Sequence, residues 1–101
     1  MSVTSRSVLM KLEQAREEVH SLFITRPMVI RFFGIYGGSR ESAEKVYKAM
    51  EDTYQKYLEK NDLINPGTKG VPNNIAMSYL KNYGITAEKI CQDYENRSNH
   101  I

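Results

Sequence analysis

Residues 25–50 read TRPMVIRFFGIYGGSRESAEKVYKAM, and the reading of this stretch decides the fold. Thr25 is a helix N-cap residue type, and Pro27 follows inside the first turn, where a missing N–H costs nothing. Residues 26–33 are apolar nearly all round, which predicts a short and deeply buried helix. Gly34 is placed to supply a left-handed stop. Ser39 then caps a longer helix, with Glu41 and Glu44 near its positive dipole end. Ala43, Val46, Tyr47, Met50, Tyr54, Tyr57 and Leu58 recur at three- and four-residue steps and define its apolar face. Glu41 with Lys45, Glu44 with Lys48 and Asp52 with Lys56 are opposite charges four residues apart, each pair worth about 0.2–0.5 kcal/mol. This helix is expected to end near residues 60–61.

Upstream, Val8, Leu9, Leu12, Ala15, Val19, Leu22 and Phe23 fall on one face of a first helix. Downstream, residues 61–72, NDLINPGTKGVP, form a loop with Pro66-Gly67 as its turn. Leu63, Ile64 and Val71 flank that turn, so residues 63–71 read either as a small β-hairpin or as a plain loop. A fourth helix over 73–83 would bury Ile75, Ala76, Tyr79, Leu80 and Tyr83. Gly84 stops it, and Thr86 caps a fifth helix carrying Ile90, Cys91 and Tyr94. Residues 96–101, NRSNHI, form a polar tail expected to fray. The expected fold is mainly α: one domain over residues 1–101, with four to five helices, a helix-turn-helix-like core and either a small β-hairpin (a wing) or a loop near 63–71.

The 101 residues suffice for one modest core, and 41% hydrophobic against 26% charged residues is ordinary globular usage. No apolar run approaches the ~20 residues that span a bilayer. The N-terminal residues lack the apolar stretch and small-residue site of a signal peptide. A single cysteine, Cys91, excludes an internal disulfide, and a cytoplasmic location is expected. Net charge is +2, from 14 Lys and Arg against 12 Asp and Glu, too small to demand a polyanion by itself. Its distribution is more informative. Before Glu41 there are six basic residues (Arg6, Lys11, Arg16, Arg26, Arg31, Arg40) and three acidic ones (Glu13, Glu17, Glu18).

A helix-turn-helix needs two short helices, a tight turn and an exposed second helix that enters the major groove. The helix over 26–33, the glycine turn and the helix from Ser39 have that order. Arg40 and Lys45 would lie on the reading helix, Arg40 being suited to guanine because guanidinium donates two bonds to one base edge. Arg26, Arg31 and Lys69 are candidates for phosphate contacts. Ser39 and the amides of Gly37 and Gly38 could hold one phosphate at the helix start. The order helix, helix, turn, helix, hairpin, helix resembles small winged-helix proteins of phages and plasmids, including excisionase-like factors. That resemblance covers roughly residues 25–83 and implies double-stranded DNA as partner and a regulatory or architectural role. Against it, the turn GIYGGS is longer than the common tight turn, and the third helix is unusually long. The same segment also fits an ordinary corner in a helical bundle.

The rival functional reading is an all-helical interaction module, an adaptor or inhibitor. It would bind a protein partner, or itself as a homodimer, through Tyr47, Met50, Tyr54 and Tyr57 on the third helix. Catalysis is not expected. His20 and His100 are isolated in sequence, Cys91 has no obvious histidine partner, and no cluster has metal-ligand spacing. The glycine turn lacks the Gly-Lys-Ser/Thr ending of a nucleotide-hydrolysing loop. No cofactor, small-molecule substrate or membrane partner is implied.

Overall fold

The structure, a computed structural model, describes residues 3–67 and 69–99, with side chains from residue 7 onward. Five α-helices account for most of it: α1 (Val3–Glu18), α2 (Arg26–Ile35), α3 (Arg40–Lys60), α4 (Asn73–Leu80), which continues as one 3-10 turn (Lys81–Tyr83), and α5 (Ala87–Ser98). Two short strands, β1 (Phe23–Ile24) and β2 (Val71–Pro72), pair antiparallel, with Phe23 opposite Pro72 and Ile24 opposite Val71. α1 packs on α5 and α2, α2 packs on α3, and α3 packs on α4. At the centre lie Leu12, Ile24, Val29, Phe32, Met50, Leu80 and Ile90, all fully buried. Each large side chain removed from water in this way contributes about 1.5–3 kcal/mol before entropy is counted.

α3 forms as its sequence dictates. The Ser39 hydroxyl accepts from the Ser42 amide at 3.1 Å, and Ala43, Val46, Tyr47, Met50, Tyr54 and Leu58 make the buried stripe. Its end is a Schellman motif: Leu63 N–H reaches Leu58 O at 2.8 Å and Asp62 N–H reaches Glu59 O at 3.2 Å. Asp62 takes the left-handed conformation this requires (φ 54°), unusual for a residue with a Cβ. Of the expected ion pairs on α3, Glu41 with Lys45 forms at 3.5 Å. Glu44 turns instead to two arginines, because a guanidinium offers several donors and a lysine offers one compact charge.

α1 is shorter than its apolar pattern predicts. It ends at Glu18, and Leu22, expected on its buried face, is 84% exposed. The cause lies far along the chain. The Asn73 side chain donates to Val19 O at 2.7 Å and to Ser21 O at 2.8 Å, and the Asn73 amide donates to Leu22 O at 2.9 Å. Those three carbonyls are held by α4, and Phe23 and Ile24 leave as a strand.

A small antiparallel sheet is present, but its strands are not the two arms of a 63–71 hairpin, and residues 63–67 take the loop alternative. Val71 and Pro72 pair with β1, while residues 63–67 form no strand, and Ile64 is 92% exposed. Ile64 is almost fully open and Leu63 half open, so an apolar strand face there has little packing to stabilise it. The close approach that does form needs Gly70, whose φ is +99° and whose missing Cβ would stand 2.6 Å from Ile24 O. At the C-terminus α5 runs to Ser98, so residues 96–98 of the expected frayed tail are helical; His100 and Ile101 lie outside the described residues.

Candidate nucleic-acid interface

The α2–α3 junction is tighter than the string GIYGGS suggests. Gly34 does not end α2; it lies within the last turn, and the helix continues to Ile35. The left-handed stop is Gly37 (φ +80°), with Gly38 N–H on Phe33 O at 2.7 Å and Gly37 N–H on Gly34 O at 3.3 Å. This is again a Schellman ending. Four residues, 36–39, therefore join the two helices. Gly38 is required by packing, since a Cβ there would lie 2.8 Å from Phe33 Cδ2.

Those bonds remove two sequence-predicted roles. The amides of Gly37 and Gly38 are bonded within the turn, and the Ser39 hydroxyl is engaged by the Ser42 amide and hydroxyl. Neither Gly38 nor Ser39 offers those groups to a phosphate. The turn is fastened from outside by Tyr36, whose hydroxyl donates to Asp93 Oδ2 on α5 at 2.6 Å. Burial, reinforced by the Asp93 carboxylate, pushes the Tyr36 phenol well above its ordinary pKa. Lys89 pairs with Asp93 at 3.5 Å and lies 5.2 Å from the Tyr36 ring centroid.

At the start of α3, the outward face carries Arg40, Glu41, Ser42, Lys45 and Lys48, all exposed, opposite buried Ala43, Val46 and Tyr47. Glu44 Oε1 receives Arg40 Nε at 2.8 Å and Arg26 Nη2 at 3.1 Å, drawing the first residues of α2 and α3 together. The hydrogen bonds from Arg40, then Arg26, hold the Glu44 carboxyl below its usual pKa. Arg40 remains 70% exposed, with its terminal nitrogens beyond that contact. Lys45 is also exposed, beside Glu41.

The expected phosphate contacts are not gathered at one place. Arg26 and Lys69 line a groove of about 700 Å³ between the start of α2, the middle of α3 and the loop before β2. Glu51 and Asp52 line it too, so its charge is mixed. Burial, with Glu51 nearby, raises the Tyr47 phenol pKa at that groove. Arg31 belongs elsewhere: its Nη1 donates to Glu18 Oε2 at 2.5 Å, in a half-buried pair joining α2 to α1.

The alternative interaction face is mostly interior. Tyr47, Met50 and Tyr54 are buried in the core, and Tyr57 alone of the four is open, at 51%. Periodicity cannot separate a core stripe from a docking stripe, because both repeat at 3.6 residues. One contact was invisible in sequence: His20 Nε2 comes within 4.0 Å of Cys91 Sγ, 71 positions away. Among the described residues no group of three or more His, Cys, Asp or Glu side chains could hold a metal ion, and no helix is long and apolar enough to cross a membrane. Known protein families, curated proteins and solved structures offer no match to this chain, so its own geometry carries the functional reading.

Proposed function

We propose that the protein is a small double-stranded-DNA-binding protein, regulatory or architectural, that presents the N-terminal half of α3 to the major groove. One observation carries this reading. α2 and α3 are joined by the four residues 36–39, and the second helix turns Arg40, Glu41, Ser42, Lys45 and Lys48 to solvent over residues 40–48. A short first helix, a glycine-bearing turn of three to four residues and an exposed second helix are what groove reading requires.

In this reading α2 and the core hold α3 rigid, and the Glu44 bridge limits the rotamers of Arg40 before DNA arrives. Arg40 keeps terminal donors for a base edge, and Lys45 and Lys48 follow one and two turns later on the same exposed side. Arg26, drawn to the same carboxylate from the first turn of α2, supplies a phosphate contact beside the reading helix.

Binding of a mixed-sequence duplex pool, followed by anisotropy across a salt series, tests the proposal. Affinity should fall steeply between ~50 and ~200 mM salt. Arg40→Ala should cost about 1–3 kcal/mol on a selected site and relax its sequence preference. No duplex binding at the lowest salt would refute the reading.

A further inference from the structure

Behind the reading helix lies an open groove of about 390 Å³ between α1, α2 and the turn. Its charged residues are Lys11, Arg31 and Arg40, with Pro27 and Ile30 as apolar walls. Four other grooves among the described residues each contain at least one carboxylate side chain; this one contains none. Lys11 forms no salt bridge among the described residues, and Arg31, although paired with Glu18, still lines the groove.

Gly34 also lines this groove and provides a second, independent observation. It is helical, its φ is not positive, and a Cβ added to it would meet no heavy atom within 4 Å beyond its chain neighbours and its own helix backbone. The fold has no use for glycine there: a helical glycine lowers stability relative to alanine. A glycine in the groove does one thing an alanine cannot, which is to let a ligand approach the helix backbone closely.

We infer that this groove seats the DNA sugar–phosphate backbone, with Lys11, Arg31 and Arg40 around a phosphodiester and Gly34 as the open floor. The inference rests on the proposed DNA binding and adds a sequence-independent contact on the α1 side, with Lys11 as a residue outside the reading helix. Arg40 belongs to both surfaces: it opens α3 and lines the groove. A phosphodiester fits because it is a single negative charge on an extended chain: Lys11 faces it without a salt-bridge partner among the described residues, and Arg31 and Arg40 line the groove while their partners, Glu18 and Glu44, do not.

The test compares the full chain with Lys11→Ala, Gly34→Ala and Lys56→Ala on two duplexes of unrelated sequence. Lys56 is exposed far along α3 and serves as an equal change of net charge away from the groove. Lys11→Ala should lose roughly fivefold to tenfold in affinity at 0.1 M salt on both duplexes, with the salt slope reduced by about one. Lys56→Ala should leave both unchanged. Gly34→Ala should raise Tm by roughly 2–8 °C yet weaken both duplexes, a combination that misfolding cannot produce. If the wild type binds and Lys11→Ala keeps its affinity and slope, or matches Lys56→Ala, the groove assignment is overturned while the reading helix stands. Wild-type affinity in Gly34→Ala overturns the floor. Absence of binding by the wild type overturns both proposals.

Discussion

Replacing Asn73 with alanine should destabilise the fold far more than an ordinary helix N-terminal substitution. The side chain makes two neutral hydrogen bonds across more than 50 residues, to Val19 O and Ser21 O, and both carbonyls belong to the link where α1 gives way to β1. Two such bonds are worth about 2 kcal/mol together. Alanine's better helix propensity returns about 0.5 kcal/mol. The net loss is about 1.5 kcal/mol, or roughly 6–12 °C in Tm for a domain of this length. Thermal and urea unfolding followed by circular dichroism measure it, with an unchanged urea m-value showing that the folded and unfolded surfaces are the same.

A second substitution separates hydrogen bonding from shape. Asn73→Asp keeps the volume but replaces the donating NH₂ with a carboxylate facing two carbonyl oxygens, so at neutral pH it should be less stable than Asn73→Ala. In the folded state that carboxyl is favoured as the neutral acid, which can donate, so its pKa is raised above the unfolded value. Its stabilising form is then fully present below about pH 4 and is lost as pH rises through the raised value. A deficit below about 0.5 kcal/mol for Asn73→Ala, or an aspartate variant as stable as the alanine one at pH 7, would refute the claim that Asn73 holds the α1–β1 link.

Three further outcomes follow from the backbone and the surface charges. Gly70→Ala should cost about 3 kcal/mol in urea unfolding, because it combines a φ of +99° with a Cβ 2.6 Å from Ile24 O. Asp62→Gly should stabilise by about 0.5–1 kcal/mol, since it relieves a left-handed residue and removes a negative charge from the C-terminal end of α3. The Glu44 carboxyl, titrated by NMR, should protonate below the usual glutamate range and move back up in Arg40→Ala. Its folded pKa is depressed, so any stability it lends is present above the unfolded pKa and lost as pH falls through the folded one; an unshifted titration in Arg40→Ala would show that Arg40 is not its main partner.

How much of this could be read from residues alone depended on the range of the interaction concerned. α3 was legible because everything that makes it is local: the Ser39 cap, the apolar stripe and the charge spacing. The start of α5 at Thr86 was legible for the same reason, its hydroxyl accepting from the Lys89 amide at 3.1 Å. The end of α1 was not, because Asn73 lies 54 residues beyond Val19 and Asn is an unremarkable residue in a loop-to-helix step. β1 stayed hidden for a related reason. Two residues give no alternating pattern, and Phe23 and Ile24 extend the apolar steps of the preceding helix without a break. Charge counting showed the basic N-terminal part but not the partner of each cation. Arg31 and Arg26 differ only in position along one helix, yet one faces Glu18 on α1 and the other Glu44 on α3.

The three glycines of residues 34–38 look alike in sequence and are there for different physical reasons. Gly37 is demanded by dihedral angle: at φ +80° it closes α2, and any side chain would strain the stop. Gly38 is demanded by packing, with Phe33 occupying the space of its Cβ. Gly34 is demanded by neither, because its backbone is helical and the space beside it is empty. Substitution should therefore lower stability at the first two and raise it at the third. A position where the fold is weaker than it need be, beside a groove lined by lysine and arginine, is where a functional constraint is most sharply separated from a structural one. If Gly34→Ala left the protein less stable, the glycine would belong to the fold after all, and the groove would lose its floor as an argument for a ligand.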